Sequence, residues 1–429
     1  MSDYRFETKA LHEGWTPDPQ THSTAVPLYL TNAYAFDSTE YARRLFALEE
    51  AGNIYTRLSN PTSDVFEKRI AALEGGVGAL ATSTGHAAIY AIMLTLAACG
   101  DELISSSCIY GGAINLLSNT MARSGIKTTF VHPTDLAGFE AAITEKTKVI
   151  FAEAVGNPSC DVTDIDALAE IAHRHGIPLV IDNTFPTPYL LRPIEHGADI
   201  VIHSSTKYIG GHGTVMGGIV VDSGKFPWKG NPRFPEMNAP DPSYHGIVFS
   251  DVFGDAAFIT KLRVCTMRDL GFAPSPFNSF MMIQGLETLA LRMERLTASA
   301  RRVTEFLENS PYVDNVRSPY VASNQYYALA QRMLPNGYGG MLSFDLKGGR
   351  AAGARFIDAL KLIANVANLG DVRTIVSHPA STTHSQLDDS QLASAGISAG
   401  TIRVSLGLEA IDDIRADIAQ ALDASQQNG

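Results

Sequence analysis

The chain has 429 residues of ordinary globular composition, 45% hydrophobic and 18% charged, which is enough for two or three domains with substantial cores. The formal net charge is −12 and we see no run rich in lysine and arginine, so neither nucleic acid nor an anionic membrane surface is expected as the main partner. The longest strongly apolar stretch, Ala87 to Cys99, is well short of the roughly 20 residues that a membrane span needs.

The N-terminal residues MSDYRFETKALHEG contain no apolar signal core, so we expect a cytoplasmic protein. The cysteines are scattered without paired spacing, which predicts reduced thiols rather than a disulfide framework or a zinc site, and we expect no metal. The first 60 residues are rich in turns and weakly periodic. They predict an arm that packs on something else, not an independent domain.

Strand and helix signals then alternate as far as about residue 222, the pattern of a mostly parallel α/β sheet. Within this region ATSTGHAAIYAIM, residues 81–93, combines a turn of small residues with an apolar helix. Exposed amides at a helix N-terminus attract phosphate, and Gly85 would let an anion approach closely. Ordinary capping of the helix by Ser83 or Thr84 is the alternative interpretation of the same residues.

The clearest unit of the chain runs from Val149 to Asp182. VIFAE predicts a buried strand, and DVTDIDALAEIAHRHG predicts a helix with Thr163 as its N-cap and Gly176 just beyond its end. PLVIDN predicts the next strand, which makes a parallel pair across a helical crossover. DIVIHS and GGIVVD predict a third and a fourth strand.

The rest of the chain begins with an irregular connection over residues 224–254, followed by a helical stretch from Ser279 to Asn309. Strand-like MLSFDL and TIRVSLG, with helices at 352–363 and 411–422, predict a smaller α+β domain. We therefore expect three parts: an arm over 1–60, a cofactor-binding α/β domain over 61–265, and a C-terminal α+β domain over 266–429.

Three chemically capable side chains follow predicted parallel strands. Asn157 follows VIFAE, Asp182 ends LVID and Lys207 follows DIVIHS. Taken alone, such an Asp is usually a cap or turn residue, and such a Lys is usually solvated. Ligands in open parallel sheets bind beyond the carboxyl ends of the strands, so the joint placement of these residues indicates a site.

A helix N-terminus, a carboxylate and a lysine together suit pyridoxal phosphate. Its phosphate binds amides and hydroxyls, its ring nitrogen pairs with a carboxylate, and its aldehyde forms a Schiff base with a lysine amine. Ser204 and Thr206 flank Lys207 and could add hydrogen bonds to the phosphate.

The run VIDNTFPTPYLLRPIEHGADIVIHSSTKYIGGHG resembles the signature of the Cys/Met-metabolism PLP-dependent enzymes. YTRLSNPT, ATSTGHAAI, IYGG, GNP, SHPASTTH and IRVSLGLE follow in the order that this family shows, so the resemblance covers nearly the whole chain. It implies the aspartate-aminotransferase-like fold of PLP enzymes (fold type I), with a large, mostly parallel sheet domain and a smaller α+β C-terminal domain.

The resemblance also implies roles for individual residues. Lys207 would be the Schiff-base lysine and proton shuttle, Tyr110 would stack on the cofactor ring and assist acid–base steps, and Asp182 would pair with the ring nitrogen. The remaining cofactor contacts would come from Gly85, His86, Thr184, Ser204 and Thr206, with Tyr55 and Arg57 reaching the phosphate of a neighbouring subunit. The substrate carboxylate would be held by Asn157 and Arg403, with Ser377 beside them. This implies a catalytic dimer within a homotetramer.

Within the family, PDPSYHG followed by RDLG and SPFN most resembles the O-acetylhomoserine sulfhydrylases. The reaction implied is γ-replacement on O-acetyl-L-homoserine by sulfide or a thiol, giving L-homocysteine and acetate in methionine biosynthesis. Methionine γ-lyase, cystathionine γ-synthase or lyase, and O-succinylhomoserine sulfhydrylase are the alternatives on the same scaffold. A protein of this fold that binds ligand as a regulator, without turnover, is an alternative of another class.

Overall fold

The computed structural model describes residues 4–382 and 397–427, and the features below concern those residues. The chain builds a seven-stranded sheet and a five-stranded sheet. Within the described ranges, no helix is both long and apolar enough to cross a membrane.

The strands are numbered in chain order. They are β1 Gly78–Thr82, β2 Glu102–Ser106, β3 Lys127–Val131, β4 Thr147–Glu153, β5 Leu179–Asp182, β6 Ile200–His203, β7 Gly218–Asp222, β8 Val313–Arg317, β9 Met341–Leu346, β10 Ala364–Asn365, β11 Ile375–Ser377 and β12 Thr401–Ser405.

The α-helices of the described ranges are numbered in the same way. They are α1 Phe6–His12, α2 Thr39–Phe46, α3 Pro61–Glu74, α4 Gly85–Leu96, α5 Gly111–Asn115, α6 Met121–Arg123, α7 Leu136–Ala142, α8 Ile165–Arg174, α9 Thr187–Leu190, α10 Pro235–Asn238, α11 Phe249–Val252, α12 Ala257–Lys261, α13 Arg268–Leu270, α14 Pro276–Glu287, α15 Leu289–Glu308, α16 Tyr327–Met333, α17 Gly349–Ala359 and α18 Ile411–Ser425. Single π-helical segments, Leu116–Thr120 and Leu262–Met267, join α5 to α6 and α12 to α13.

The large sheet has the strand order β1-β7-β6-β5-β4-β2-β3, and β7 alone runs antiparallel to its neighbours. Every residue of β4 is buried, as expected for a parallel strand covered on both faces. Since β4, β5 and β6 are parallel neighbours, the segments that follow them emerge at one edge of the sheet. The predicted α/β class with a mostly parallel sheet is confirmed.

The small sheet has the order β10-β11-β12-β9-β8, and its pairs are antiparallel except for β10 with β11. Helices α17 and α18 pack against each other, and α15 packs on β8 and β9. Their apolar faces and the sheet form one cluster that includes Phe344, Phe356 and Ile414. The predicted smaller α+β unit is therefore present.

Two local predictions need correction. The N-cap of α8 is Asp164, whose Oδ1 accepts from the Ala167 N–H at 3.2 Å, and not Thr163. The Thr163 hydroxyl instead donates to the Glu153 carbonyl at 2.6 Å, across the β4–α8 connection. The stretch predicted as one helical region consists of α14 and α15, which are separated at Thr288.

Helix α14 packs against α3, beside the large sheet, whereas α15 reaches the small sheet. The chain therefore passes from the large-sheet unit to the small-sheet unit along α14 and α15, without a separate linker between them. The division into residues 1–60, 61–265 and 266–429 remains our proposal for the domain organisation.

Asp417 of α18 is expected to stabilise the small unit through three main-chain hydrogen bonds. Its carboxylate accepts from the N–H groups of Lys361, Leu362 and Ile363, each at 2.9 Å. We predict that Asp417→Ala lowers the free energy of unfolding by about 2 kcal/mol, since bonds to a charged acceptor are lost. Urea unfolding checks this, with the exposed Asp413→Ala as control.

The same bonds lower the pKa of Asp417 despite its burial, so the folded chain binds a proton there less readily than the unfolded chain. The stabilisation is therefore present above the ordinary pKa of 3.8 and is lost as the pH falls through the lowered value. An unchanged unfolding midpoint in Asp417→Ala at neutral pH would contradict this assignment.

Candidate active site

A cavity of about 420 Å³ lies beyond the carboxyl ends of β4, β5 and β6 and extends to the small sheet. It brings together most of the predicted site residues, which are Gly85, His86, Tyr110, Asn157, Asp182, Thr184, Ser204, Thr206, Lys207, Ser377 and Arg403. Residues from both sheets therefore share one site, as the strand-end argument and the resemblance led us to expect.

Lys207 lies four residues beyond β6, in the turn that carries the chain out of the sheet. Its Nζ donates to Oδ1 of Asn368 at 2.5 Å. Burial, together with the positive charge of Arg403, lowers the pKa of Lys207 to about 8. An amine with this pKa is largely neutral in mildly alkaline solution, so it can act as a nucleophile and as a base.

The turn after Lys207 is held by a buried arginine on α15. Arg292 donates to the carbonyl of Tyr208 at 2.6 Å, to that of Ile209 at 3.2 Å and to that of Gly285 at 2.6 Å. A Cβ at Gly211, whose φ is +71°, would lie 2.4 Å from Nη1 of Arg292. The glycine thus gives room to Arg292, which fixes the main chain that carries the lysine.

Asp182 ends β5 and is oriented by Thr184. Its Oδ1 accepts from the Thr184 N–H at 2.9 Å and from the Thr184 hydroxyl at 2.5 Å. The same hydroxyl accepts from the Ser204 N–H at 2.8 Å, which ties the end of β5 to that of β6. Burial raises the pKa of Asp182, although the Thr184 bonds and nearby His203 and His86 oppose that shift.

A second polar network lies buried next to these residues. The His203 ring and the Asn183 side chain meet Oε1 of Glu74, at 2.6 and 3.0 Å. All three side chains are inaccessible to solvent. Because Asn183 follows Asp182 and His203 precedes Ser204, this network fixes the strand ends that carry the cavity residues.

The N-terminus of α4 forms one end of the cavity. Thr84 is the N-cap, its hydroxyl accepting from the Ala87 N–H at 3.0 Å, which leaves the amides of Gly85 and His86 directed at the cavity end. A Cβ at Gly85 would lie 2.9 Å from Cα of Ser204, so only glycine permits this close approach. The Thr206 hydroxyl donates to the Gly217 carbonyl at 3.1 Å.

Arg403 of β12 reaches across the cavity to the large sheet. Its Nη1 donates to Oδ1 of Asn157 at 3.1 Å, and its Nη2 donates to the Asn368 carbonyl at 2.8 Å. Its buried Nε has no hydrogen-bond partner among the described residues. Ser377 is the register partner of Arg403 on neighbouring β11. This corner of the site therefore presents a positively charged fork to the cavity.

Tyr110 precedes α5 and is 45% exposed. Its ring stands edge-on to the His86 ring, with centroids 5.6 Å apart and an interplanar angle of 88°. A Cβ at Gly112 would lie 2.5 Å from the Tyr110 ring, so this glycine makes room for the ring.

Tyr55 and Arg57 lie outside this cavity, and both are exposed. The Arg57 guanidinium lies 5.6 Å from the centroid of the Tyr55 ring. The structure of the single chain does not bring these two residues together with Lys207. Their predicted role therefore depends on a second subunit.

Among the lining residues that the sequence analysis did not single out, Glu153 and Asn368 bond directly to predicted site residues, Glu153 to the Tyr110 N–H and Asn368 to Lys207. Glu153 is the last residue of the strand predicted from VIFAE, so a carboxylate at the same strand end as Asn157 was an available signal. Asn368 lies in an aperiodic loop that is 161 residues from Lys207 in sequence, so no local pattern indicated it. His384, the last residue of the SHPASTTH motif, lies outside the described residues.

Comparison with known proteins identifies the chain. The sequence pattern of the family described as "Cys/Met metabolism PLP-dependent enzyme" matches residues 7–423. The chain belongs to this family. The predicted family and the predicted cofactor, pyridoxal phosphate, are thereby confirmed.

Individual relatives match over nearly their full length. The chain is 49% identical to the O-acetyl-L-homoserine sulfhydrylase of Leptospira meyeri, covering 98% of this chain and 97% of the relative. It is 50% identical to the homocysteine synthase of Schizosaccharomyces pombe, covering 98% of each. The crystal structure of the Campylobacter jejuni protein named O-acetylhomoserine (thiol)-lyase superposes with a TM-score of 0.95 at 40% identity, covering 98% of this chain and 100% of that one. That structure carries N′-pyridoxyl-lysine-5′-monophosphate, and the likeness confirms the predicted PLP-enzyme fold.

The donor set of the cavity fits the cofactor of this family. The amides of Gly85 and His86 and the Ser204 side chain surround one end, which suits a phosphate. The Asp182 carboxylate suits a protonated ring nitrogen, and the Lys207 amine suits the aldehyde. These groups lie in one cavity, so no rearrangement between distant parts of the chain is needed to bind it.

The lowered pKa of Lys207 has a measurable consequence for the apoprotein. Only the neutral amine attacks an aldehyde, so capture of pyridoxal phosphate is expected to accelerate as the pH rises and to level off above about 8. Stopped-flow absorbance between about pH 7 and 10 measures this rate. A rate that still climbs towards 10.5, the ordinary lysine pKa, would contradict the assignment. The apoprotein of the Lys207→Ala variant, which has no amine at this position, is the control for absorbance changes that do not involve Lys207.

Proposed function

We propose that this enzyme is an O-acetylhomoserine sulfhydrylase, which replaces the acetate of O-acetyl-L-homoserine by sulfide or a thiol and forms L-homocysteine. The full-length identity to proteins that carry this name supports the proposal. The observation that carries it is the convergence of Lys207, Asp182 and the Arg403–Asn157 pair on one cavity in a chain of this family.

When bound, pyridoxal phosphate supplies an aldehyde for amines and a protonated ring that takes up electron density from the substrate. We assign its phosphate to the N-terminus of α4 and Ser204, with Thr206 next to them. We assign its ring nitrogen to Asp182, which Thr184 orients through two hydrogen bonds to Oδ1.

Lys207 is assigned as the covalent anchor and as the base that moves a proton at the substrate Cα. Its free amine is held at 2.5 Å from Oδ1 of Asn368, and its lowered pKa makes it a base near neutrality. Arg292 keeps the lysine turn in place from behind. Tyr110 is assigned to the face of the cofactor ring, where its hydroxyl can assist proton transfer.

The substrate carboxylate is assigned to Arg403, with Asn157 and Ser377 beside it. A guanidinium binds a carboxylate through two parallel hydrogen bonds, which sets the orientation of the substrate as well as its affinity. The unpartnered Nε of Arg403 is one donor available for this purpose. Fixing the carboxylate also fixes the position of Cα relative to Lys207.

The assay that tests the function supplies purified enzyme with O-acetylhomoserine together with sulfide, with cysteine or with neither, repeats these mixtures with O-succinylhomoserine, adds a mixture with methionine alone, and identifies each product by mass spectrometry. Homocysteine and acetate from the sulfide mixture are expected. Cystathionine as the favoured product would replace the proposal by a cystathionine γ-synthase, and an α-keto acid released from methionine would replace it by a γ-lyase. Preference for O-succinylhomoserine over O-acetylhomoserine would change the proposed substrate to the succinyl ester.

We further propose that the chain acts as a homotetramer of catalytic dimers in the cytoplasm, on a small amino-acid substrate and sulfide or a thiol. The exposed, adjacent Tyr55 and Arg57 support an arm that completes a neighbouring cofactor site. All four cysteines are free, which suits a reducing compartment.

If Arg57 binds the phosphate in the neighbouring subunit, Arg57→Ala is expected to weaken cofactor binding by roughly 10- to 100-fold, because a charge-assisted contact is lost. Cofactor release during dialysis measures this, and light scattering gives the oligomeric state. Arg44→Ala, elsewhere on the arm, is the matched control. A fully active monomer would contradict the shared site.

A further inference from the structure

Glu153 is a buried carboxylic acid in the wall of the cavity to which no role has so far been assigned. It ends β4, and its register partner on parallel β5 is Asp182. Register partners on parallel strands lie roughly 5 Å apart and direct their side chains to the same face of the sheet. Both side chains line the cavity. The Glu153 carboxyl group therefore lies beside that of Asp182 in the wall of the cavity.

The side chain of Glu153 has a defined partner. Its Oε1 accepts from the main-chain N–H of Tyr110 at 2.7 Å. Tyr110 immediately precedes α5 and has no side-chain capping bond of its own, so this contact is what ties the start of the helix to the sheet. The Thr163 hydroxyl holds the Glu153 carbonyl at 2.6 Å, which fixes the main chain of Glu153 in turn.

We propose that Glu153 is a positioning residue that places the Tyr110 ring against the cofactor through the Tyr110 main-chain N–H. The side chain of Tyr110 packs over Gly112 and against His86, so a displaced main chain at Tyr110 shifts the whole ring. The inference rests on the proposed function, because it takes Tyr110 and Asp182 as cofactor contacts.

The carboxyl group must do this without competing with Asp182 for the ring nitrogen. Two adjacent buried carboxylates do not both ionise readily. Asp182 has two donors from Thr184, whereas burial and the charge of Asp182 raise the pKa of Glu153 well above its usual range. The titratable groups around this wall are Asp182, His86, Tyr110 and Lys207 in the cavity, Cys108, whose thiol interacts electrostatically with Glu153, and His203 in the adjacent buried network. Burial raises the pKa of both carboxyl groups, and because Asp182 has the additional Thr184 donors we assign the proton to Glu153 and the charge to Asp182.

If Glu153 acts as a neutral hydrogen-bond acceptor, two substitutions with side chains of similar length should affect kcat/KM differently. Glu153→Met removes the acceptor and is expected to lower kcat/KM by about tenfold, since the Tyr110 N–H loses its bond to the sheet and the ring is displaced. Glu153→Gln restores a neutral acceptor oxygen and is expected to recover kcat/KM to within about twofold of wild type. Thermal unfolding of both holoenzymes establishes that each variant folds.

The readout that separates positioning from simple stability is the induced circular dichroism of the bound cofactor in the visible region. The cofactor is achiral, so the signal reports the asymmetric groups around its ring. The signal is expected to change in Glu153→Met at full cofactor occupancy and to return in Glu153→Gln. This readout needs no turnover, so it remains informative even if the substrate assignment fails.

A double-mutant cycle tests whether Glu153 acts through Tyr110. In a Tyr110→Ala background, Glu153→Met is expected to lower kcat/KM by less than about twofold, because the ring that Glu153 positions is gone. Independent, additive effects would overturn the proposal. So would a wild-type dichroism signal in Glu153→Met, or a Glu153→Gln variant as impaired as Glu153→Met, which would show that a charge is required.

Discussion

Lys207→Ala is expected to abolish turnover and to remove the visible absorbance of the lysine-bound cofactor. Alanine has no amine to join the aldehyde and no base to move the Cα proton. The loss of acid–base catalysis alone is worth about 10²- to 10⁴-fold, and loss of the covalent anchor adds to it. Absorbance spectra of the reconstituted variant, together with the sulfide assay, measure both effects.

Lys225→Ala provides the control for this experiment. Lys225 is an exposed lysine whose Nζ donates to the Ile194 carbonyl at 3.3 Å, away from the cavity. Its spectrum and activity are expected to match those of the wild type. A Lys207→Ala variant with wild-type absorbance and rate would disprove the central assignment.

Asp182→Asn is expected to lower kcat while the cofactor stays bound to Lys207. Asparagine keeps an oxygen for the Thr184 N–H but removes the negative charge that favours a protonated ring nitrogen. We expect kcat to fall by about 10²- to 10³-fold, the cost of removing one preorganised electrostatic contact. The visible absorbance of the lysine-bound cofactor should persist, because Lys207 is intact.

Asp199→Asn is the matched control, since Asp199 is also a buried carboxylate of the large sheet. It lies just before β6, where it accepts from the Leu179 N–H at 2.8 Å and contacts the His173 ring at 2.8 Å. Its replacement is expected to alter stability and to leave kcat unchanged. Equal loss of kcat in the two variants would show that the effect at Asp182 is a general one of buried charge.

The parallel-sheet pattern allowed much of this site to be predicted, because it fixes where strand ends lie. Asn157, Asp182 and Lys207 were chosen on that basis, and all three line one cavity. Arg403 could not be found in this way. Its alternation with Ile402 and Val404 indicates only a strand, and the family resemblance pointed to it.

Contacts between segments that are distant in the sequence could not be predicted from the sequence. Asn368 contacts Lys207 across 161 residues, and Arg292 contacts the lysine turn from a stretch predicted only as helical. Glu153 was included in a buried strand without being assigned a role, because a strand pattern describes the burial of a residue and not its partner. The N-cap of α8 was misplaced by one residue, since Thr163 and Asp164 are both good caps and only tertiary contacts decide between them.

The Arg403–Asn157 contact joins the two sheets, whereas Lys207, Asp182 and the N-terminus of α4 all belong to the large sheet and its connections. On the proposed assignments, the large sheet and its connections suffice to hold the cofactor, whereas recognition of the substrate carboxylate also requires Arg403 of the small sheet. We therefore expect a substitution on β11 or β12 to alter which amino acid is accepted while the cofactor stays bound.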